Sequence, residues 1–300
     1  MGITVEQFAR EVVGSLNLQT GHLIAAAWVN RRYAMVCDRL NLKHLRRVGE
    51  LVVPATYSTG TATVTRDATS VTGSGTTWTS QTGRFFRGRS GWYEIGANGG
   101  ATAITLVSGF GEDSGSGLAY RIATRKIAVA ANARKLEFVY NRATGEQLDC
   151  VSLEQLDYAS PQREESGPPR KLALIGSEPD GSGVETLRVE AYPYPTQNTI
   201  LSYSYYLRPP TLALTDEVPD PIPPAVISEG ILIDAFRYMM ALSLQEGKPE
   251  AAGVWRNEAR SQETSWERRI EEAGMADRGW DRSTILVEGW ESSGSRLGSI

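Results

Sequence analysis

The stretch AVISEGILIDAFRYMMALSLQEG, residues 225–247, places apolar side chains on nearly every side of a helix. Pro223 and Pro224 precede it, at a position where a missing N–H does not weaken a helix. Gly247 is suited to the C-terminal cap. A helix that is apolar all round has to be covered by neighbouring helices or by a partner subunit. The sequence therefore predicts a helical domain around this segment.

A second helix is predicted from Pro249 to about Ala273, with Gly274 as its end. One face of this helix repeats in alternating steps of three and four residues, which is the spacing of a seam that packs on a neighbour. The seam consists of Ala252, Trp255, Ala259, Gln262, Trp266 and Ile270. We expect its two tryptophans to be buried. Residues 275–300 lack a helical period and are predicted to form an extended tail.

The first fifty residues also predict helices, because apolar residues recur there at helical spacing. These residues are Leu23, Ala27, Ala34, Cys37, Leu40 and Val48. A basic stripe is spaced seven, four and three residues apart, which predicts one shared helical face. The stripe is formed by Arg32, Arg39, Lys43 and Arg46. This basic face is either a solvated surface or a face that meets an acidic neighbour or nucleic acid. Since short helices are unstable alone, residues 1–50 and 220–274 are predicted to form one discontinuous helical bundle.

Strand patterns fill the sequence between the two helical parts. Residues 57–124 are rich in Thr, Ser and Gly and alternate with a period of two, which predicts a small β-barrel or sandwich inserted in the chain. Its predicted core is formed by Val71, Trp78, Phe86, Trp92, Ile95, Ile104, Leu106 and Ile122. Residues 51–56 and 125–219 have longer, more aromatic strand patterns and predict a β-rich central region. The chain is therefore predicted to be an α+β protein.

Composition and motifs argue against several classes of function. The net charge of −4 does not favour coating of nucleic acid or a basic membrane-docking surface. No stretch has the roughly 20 apolar residues of a membrane-spanning helix. Cys37 and Cys150 match neither a metal-site spacing nor a disulfide framework. The sequence has two histidines and no hydrolase, nucleotide-loop or zinc-protease motif. We therefore expect a protein that is not an enzyme and has no cofactor, metal or catalytic residue.

Particular strings resemble one protein family. TLRVEAYPYPTQNTILSYSYYLRPPTL at residues 186–212 is followed by the acidic, proline-rich linker TDEVPDPIPP at residues 215–224, and then by the two helices described above. This order, with EFVYNRATGEQLDCVSLEQLD at residues 137–157, resembles the head-to-tail adaptors of tailed bacteriophages, also called connector or tail tubular protein A-like proteins. Residues 57–124 resemble a small β module that recurs in phage neck, tail and fibre proteins and is additional to a minimal adaptor.

The resemblance implies a structural role without catalysis. Adaptors of this family form rings, here expected to be a dodecamer of the chain itself. The ring docks beneath the portal protein after DNA packaging and presents a surface to the tail or nozzle protein. The resemblance thus implies a place in the virion neck, assembly in the host cytoplasm and no membrane contact. In such a ring the basic face would form salt bridges between subunits or touch DNA in the channel non-specifically.

The predicted tail contains large apolar side chains, which are unusual in an idle segment. Those expected to make contacts are Trp280, Ile285, Leu286, Val287 and Trp290. Two interpretations remain open for the tail. It folds back on its own protomer, or it stays extended and anchors the ring to the portal or to an adjacent subunit, which resembles the use of adaptor C-termini.

Other functions remain open for the whole chain. In the main alternative the protein is a receptor- or glycan-binding tail-associated protein, in which residues 57–124 bind the ligand and the helices oligomerise it. A cell-wall hydrolase is a more remote alternative.

Overall fold

The structure is a computed structural model that describes residues 3–15, 22–179, 181–219 and 222–284. The chain divides into two compact units. One unit joins the two ends of the sequence, Met1–Arg46 and Pro209–Ile300, and the other is the continuous stretch Arg47–Arg208. Helices dominate the first unit and strands dominate the second, so the predicted α+β class is confirmed.

The helices of the described residues lie mostly near the two ends of the chain. They are α1 (Val5–Ser15), α2 (His22–Arg39), α3 (Leu153–Ala159), α4 (Pro224–Gln245) and α5 (Pro249–Thr284), with a single 3-10 turn at Lys43–Leu45. The proline at the start of α4 and the glycine after its end lie where the sequence predicts them, and Gly247 adopts the left-handed φ of 73° that favours glycine. Among the described residues, no helix has both the length and the apolar character needed to cross a bilayer.

The strands lie between α2 and α4. Before α3 they are β1 (Arg46–Val53), β2 (Thr61–Val64), β3 (Ser70–Ser74), β4 (Phe85–Arg87), β5 (Tyr93–Gly100), β6 (Ala103–Leu106), β7 (Gly115–Leu118), β8 (Arg121–Ala123), β9 (Ile127–Ala128), β10 (Ala133–Asn141) and β11 (Asp149–Ser152). After α3 they are β12 (Lys171–Pro179), β13 (Glu185–Tyr192) and β14 (Thr199–Leu207).

Helices from both ends of the sequence pack together in the first unit. α1 contacts α2 and α4, α2 contacts α4, and α4 packs along α5. The chain before α4 is also tied to α1, because the backbone N–H of Val5 donates to the carbonyl of Asp216 at 3.0 Å. The Asn30 side chain on α2 donates to the Leu212 carbonyl and accepts from the Leu212 N–H. Segments far apart in sequence therefore share one core.

A buried ion pair lies at the centre of this helical unit. The Arg32 guanidinium on α2 donates to both carboxylate oxygens of Asp234 on α4, at 2.7 and 2.9 Å. The ring of Trp266 on α5 lies 4.7 Å from the Arg32 guanidinium carbon, and its indole N–H donates to the Val226 carbonyl. A Cβ on Gly230 would lie 2.9 Å from the Arg32 side chain, so only glycine leaves room for this stacking. The pair joins three helices at one point.

Two sheets face each other in the central part of the second unit. One has the strand order β1-β14-β10 and the other has the order β11-β12-β13-β9. Their facing side chains form a single core that includes Leu51, Val139, Leu172, Val189 and Tyr203. The Tyr203 ring packs across Gly49 on β1, where a Cβ would approach within 2.7 Å. This tight approach explains the glycine inside the strand.

Residues 57–124 form a seven-stranded sheet with the order β7-β2-β3-β6-β5-β4-β8. Its core surrounds Trp78, whose indole N–H donates to the Tyr120 hydroxyl at 2.8 Å. Every predicted core residue of the module except Trp92 lies in this core. Trp92 is instead half-buried and packs edge-on against Tyr194, at 5.4 Å between ring centroids. The aromatic therefore belongs to the contact between the module and the central sheets.

Two predicted boundaries are wrong. The helical pattern over residues 1–50 stops at α2 and the 3-10 turn, and β1 begins at Arg46. Its apolar residues alternate with the period of a strand, with Val48 and Val52 exposed and Leu51 and Val53 buried. α5 also continues through Gly274 to Thr284, so the extended tail does not begin at residue 275. A glycine inside a helix costs only about 1 kcal/mol relative to alanine, which neighbouring helix formers offset.

Replacing Asp234 with alanine tests the buried pair. The change leaves the Arg32 charge buried without its carboxylate, and we expect a loss of about 3–5 kcal/mol, measured by thermal and urea unfolding. The combined change Arg32→Met with Asp234→Leu should recover most of this loss, since an apolar pair removes the unpaired charge. As a control, Glu6→Ala removes an exposed pair with Arg10 and should leave the Tm nearly unchanged. A parent-like melt of Asp234→Ala would show that the pair does not stabilise the unit.

Candidate functional site

The predicted basic face does not form, because its members lie on different elements. α2 ends at Arg39, Lys43 lies in the 3-10 turn, and Arg46 begins β1. Arg32 points into the helical core and is buried against Asp234. The seven-four-three spacing defines one face only while the helix continues. The prediction of a single basic face is therefore wrong.

The predicted seam of α5 includes the tryptophan that covers the ion pair. Trp266 is fully buried between the guanidinium of Arg32 and the backbone of α4. Trp255 is half-buried, so the prediction that both tryptophans are buried is wrong for this residue; it stacks on Phe236 of α4, with 5.8 Å between the ring centroids. Arg39, at the end of α2, also lies over Trp266, at 5.4 Å, and pairs with Glu267.

Of the tail contacts, Trp280 lies on α5, and nothing is described of its side chain. The remaining four predicted contact residues lie outside the described residues; they are Ile285, Leu286, Val287 and Trp290. The choice between a folded-back and an extended tail therefore stays a prediction.

An apolar face on α2 and α4 extends the apolar pattern of α4 onto residues of α2 that the sequence patterns did not single out as a surface. Ile24, Ala27, Trp28 and Met35 share one side of α2. Ile24 is 44% exposed and Met35 is 36% exposed. Arg31 lies in the same stripe, and its guanidinium lies 3.6 Å from the Asp234 carboxylate, which Arg32 also binds.

The face continues from α2 onto α4 through a pair of aromatic rings. Trp28 contacts Tyr238 of α4, with 5.7 Å between the ring centroids. Ala241 and Leu242 follow Tyr238 on the same side of α4 and are exposed and half-buried, respectively. Leu244, six residues after Tyr238 and on a different side of α4, is 51% exposed. The second half of α4 thus keeps apolar surface in contact with solvent. We call this α2–α4 surface the apolar face.

A groove lined by arginines lies on the module of residues 57–124. It has a volume of about 410 Å³ and is lined by Arg87, Gly88, Arg89, Ala119, Tyr120, Arg121 and Glu164. The Arg87 guanidinium donates to a Glu164 carboxylate oxygen at 2.7 Å, whereas Arg121 donates to the Glu164 main-chain carbonyl at 2.5 Å. Arg89 is exposed at the rim. Three arginines and one carboxylate therefore line this site, which we call the arginine groove.

A buried charge cluster joins the end of the module to the central sheets. The Glu190 carboxylate on β13 accepts hydrogen bonds from Arg125, Arg163 and the Tyr194 hydroxyl. Burial, and secondarily the negative charge of Glu190, raise the pKa of Tyr194 above its ordinary value. The tyrosine therefore stays protonated and donates to Glu190. The two arginines and the tyrosine all bind the Glu190 carboxylate. This cluster therefore holds the chain that leaves the module, at Arg125, against β13.

Potential catalytic groups are scattered through the described part of the chain. Within it, no group of three or more His, Cys, Asp or Glu side chains has the geometry of a metal site. Cys37 is buried, whereas Cys150 is exposed on β11. His44 lies within 3.3 Å of the Tyr33 hydroxyl.

Comparison with models of known protein families and with curated proteins found no match for this chain. The resemblance to phage adaptors therefore remains a hypothesis based on the order of the quoted strings. The surfaces described above are the physical basis on which a function can be proposed.

Proposed function

We propose that the protein is a structural head-to-tail adaptor of a tailed bacteriophage, which forms a ring that joins the portal protein to the tail. The observation that carries this proposal is the apolar face of α2 and α4. Contiguous exposed apolar surface is uncommon on monomeric proteins and is typical of sites where proteins associate. The apolar face therefore supports contact with another protein.

The composition of the apolar face fits a subunit contact. Its centre is the Trp28–Tyr238 pair, with Met35 and Arg31 beside it. Tryptophan, tyrosine and arginine dominate the binding energy of known interfaces, and methionine is enriched in them. Arg31 lies 3.6 Å from the Asp234 carboxylate, which also holds Arg32, so a neighbour that covers Arg31 has to supply a further acceptor for its charge. The neighbour proposed here is a second copy of the chain.

In this proposal the helices from both ends of the chain act as one discontinuous bundle and supply the contacts of the ring. The β-rich unit, with its inserted module at residues 57–124, supplies surface for the portal and for the tail or nozzle protein. In this role the protein joins its partners through the shape and contacts of the ring, which requires neither catalysis nor a cofactor. Its place is the neck of the virion.

Replacing Ile24 with glutamate tests the ring contact. Ile24 is exposed, so the change should leave the fold and the Tm of the protomer unchanged. Burying an unpaired carboxylate in an apolar interface costs several kcal/mol, so we expect self-association to weaken by about 100-fold or more. Sedimentation velocity over a range of protein concentrations measures this change.

The matched control is Val107→Glu, at a valine that is 65% exposed on the module and lies outside the apolar face. This variant should assemble like the parent. Equal assembly of the Ile24→Glu protein and the parent would remove the apolar face from the proposal. Weakened assembly of both variants would show that added charge, and not the face, is responsible.

The arginine groove favours a second candidate, a tail-associated protein that binds an acidic surface glycan through residues 57–124. Guanidinium groups bind carboxylate and sulfate groups in a two-point geometry. Arg89 and Arg121 border the groove, and Glu164 is the single acidic side chain that lines it. A glycan with regularly spaced anionic groups matches this balance of charge.

The double change Arg89→Glu with Arg121→Glu tests the second candidate. Retention on an immobilised acidic polysaccharide should fall strongly, because repulsion replaces attraction in the groove. The control is Arg66→Glu, at an exposed arginine of the same module that does not line the groove. Equal retention of the parent and both variants would exclude the groove as a glycan site.

A further inference from the structure

The acidic side chain that lines the arginine groove comes from outside the module. The three arginines of the groove belong to residues 57–124, whereas Glu164 lies between α3 and β12. The Oε1 atom of Glu164 accepts a hydrogen bond from the Nη2 atom of Arg87 at 2.7 Å. An anionic ligand that reaches Arg87 therefore meets a carboxylate that is already bound there.

Arg87 is held in position by contacts that do not involve Glu164. Its side chain is only 11% exposed, and its guanidinium carbon lies 5.8 Å from the centroid of the Trp92 ring, within the range of a cation–π contact. The Nε–H of Arg87 donates to the Arg89 carbonyl at 2.9 Å. These contacts orient the guanidinium whether or not the Glu164 carboxylate is bound. Arg87 is therefore a preformed site for an anionic group.

The Glu164 carboxylate can leave Arg87 while the main chain of Glu164 stays in place. The Glu164 carbonyl accepts from Arg121 at 2.5 Å, and the neighbouring Arg163 is buried and donates to the Leu156 carbonyl at 2.7 Å. The Glu164 side chain is nevertheless 67% exposed. Rotation about its side-chain bonds is therefore sufficient to free Arg87.

We propose that Glu164 is an internal competitor in the arginine groove. Its carboxylate occupies the place of a ligand carboxylate on Arg87, and it is displaced when an acidic glycan that carries several carboxylates, such as a polyuronate, binds. This inference rests on the second candidate function, since it assigns the groove the same class of ligand. It adds the position that a ligand carboxylate takes and the residue that limits the affinity.

Displacement of the Glu164 carboxylate costs little free energy. An ion pair with an exposed partner adds little net stability, because water solvates the carboxylate when it leaves. A ligand with several carboxylates offsets this cost, since one group replaces Glu164 on Arg87 and another pairs with the exposed Arg89 at the rim. A small anion with one charge has no second contact of this kind. The competition therefore favours a polyanion over a single carboxylate.

The module keeps its other contacts with the central sheets during this exchange. Trp92 packs on Tyr194, with 5.4 Å between the ring centroids, and Arg125 binds Glu190. Neither contact involves the Glu164 carboxylate. The exchange is therefore confined to one side chain, and we expect variants of Glu164 to remain folded.

The change Glu164→Gln tests the competition. It keeps the size of the side chain and removes its charge, so binding of an oligogalacturonate of four sugar residues should tighten by about fivefold. Isothermal titration calorimetry of the full chain at low ionic strength measures the affinity. The matched control is Glu165→Gln, which changes the net charge equally at an exposed glutamate that does not line the groove. This control should bind like the parent, and the uncharged methyl ester of the oligosaccharide should bind to none of the proteins.

A double-mutant cycle with Arg87 separates competition from a general effect of charge. The Arg87→Gln protein should bind the oligosaccharide weakly, and equally with or without the Glu164→Gln change, because the cation for which the two carboxylates compete is absent. Thermal melts of all variants check that they are folded. A gain in affinity that persists in the Arg87→Gln background would contradict the proposal.

The outcomes distinguish this inference from the candidate function on which it rests. Tighter binding by the Glu164→Gln protein alone supports the inference. Equal affinity of this protein and the parent, with binding lost when Arg89→Glu and Arg121→Glu are combined, would overturn the inference and leave the glycan site intact. Absence of binding by both the parent and the Glu164→Gln protein would overturn both. Equal gains in the Glu164→Gln and Glu165→Gln proteins would also overturn the inference, since net charge would then be responsible.

Discussion

The paired charges of Arg32 and Asp234 are the constraint on which the helical unit depends. The two residues are 202 positions apart in sequence and meet in a buried, two-point contact. A buried guanidinium is stable only with a matched carboxylate, so the pair fixes both the neighbours and the relative rotation of α2 and α4. Trp266 then adds α5, because its ring covers the same guanidinium while its N–H satisfies the Val226 carbonyl. Helices from the start and from the end of the chain therefore pack in one unit.

The apolar face borders this ion pair. Arg32 lies four residues after Trp28 and three before Met35, at the buried border of the same stripe, whereas Ile24 and Met35 are partly exposed. On α4, the turn around Asp234 is buried, and the apolar residues after Tyr238 extend beyond the most enclosed part of the core. A sequence under no pressure to associate would be expected to place polar residues at these positions. The proposed subunit contact follows from this pairing of an internal charge with an external apolar stripe.

Local sequence patterns predicted the helices and strands well, but they predicted poorly which elements pack against each other. Pro223, Pro224 and Gly247 marked the limits of α4. Period-two alternation predicted eight core residues of the module, and the structure places seven of them in one cluster. Trp92 was missed because alternation within a strand does not reveal a neighbouring sheet. Gly274 failed as a helix end because one glycine is a weak stop.

The candidate surfaces were harder to predict, because they depend on contacts between distant residues. Arg32 has the sequence appearance of a surface cation, and only the position of Asp234 shows that it is internal. The arginine groove depends in the same way on Glu164 of a different segment. Helical spacing over Arg32, Arg39, Lys43 and Arg46 assumed one continuous helix, which ends at Arg39. Spacing therefore identified a pattern but not the environment of its members.

The central claim is that this chain assembles into a closed ring that binds a portal. Electron imaging of the purified chain, alone and mixed with the phage portal protein that the proposal names as its partner, tests this claim most directly. We expect ring-shaped particles of a single rotational symmetry that attach coaxially to the portal. Single protomers at every concentration that do not bind the portal, or three-fold particles typical of tail fibres, would contradict it.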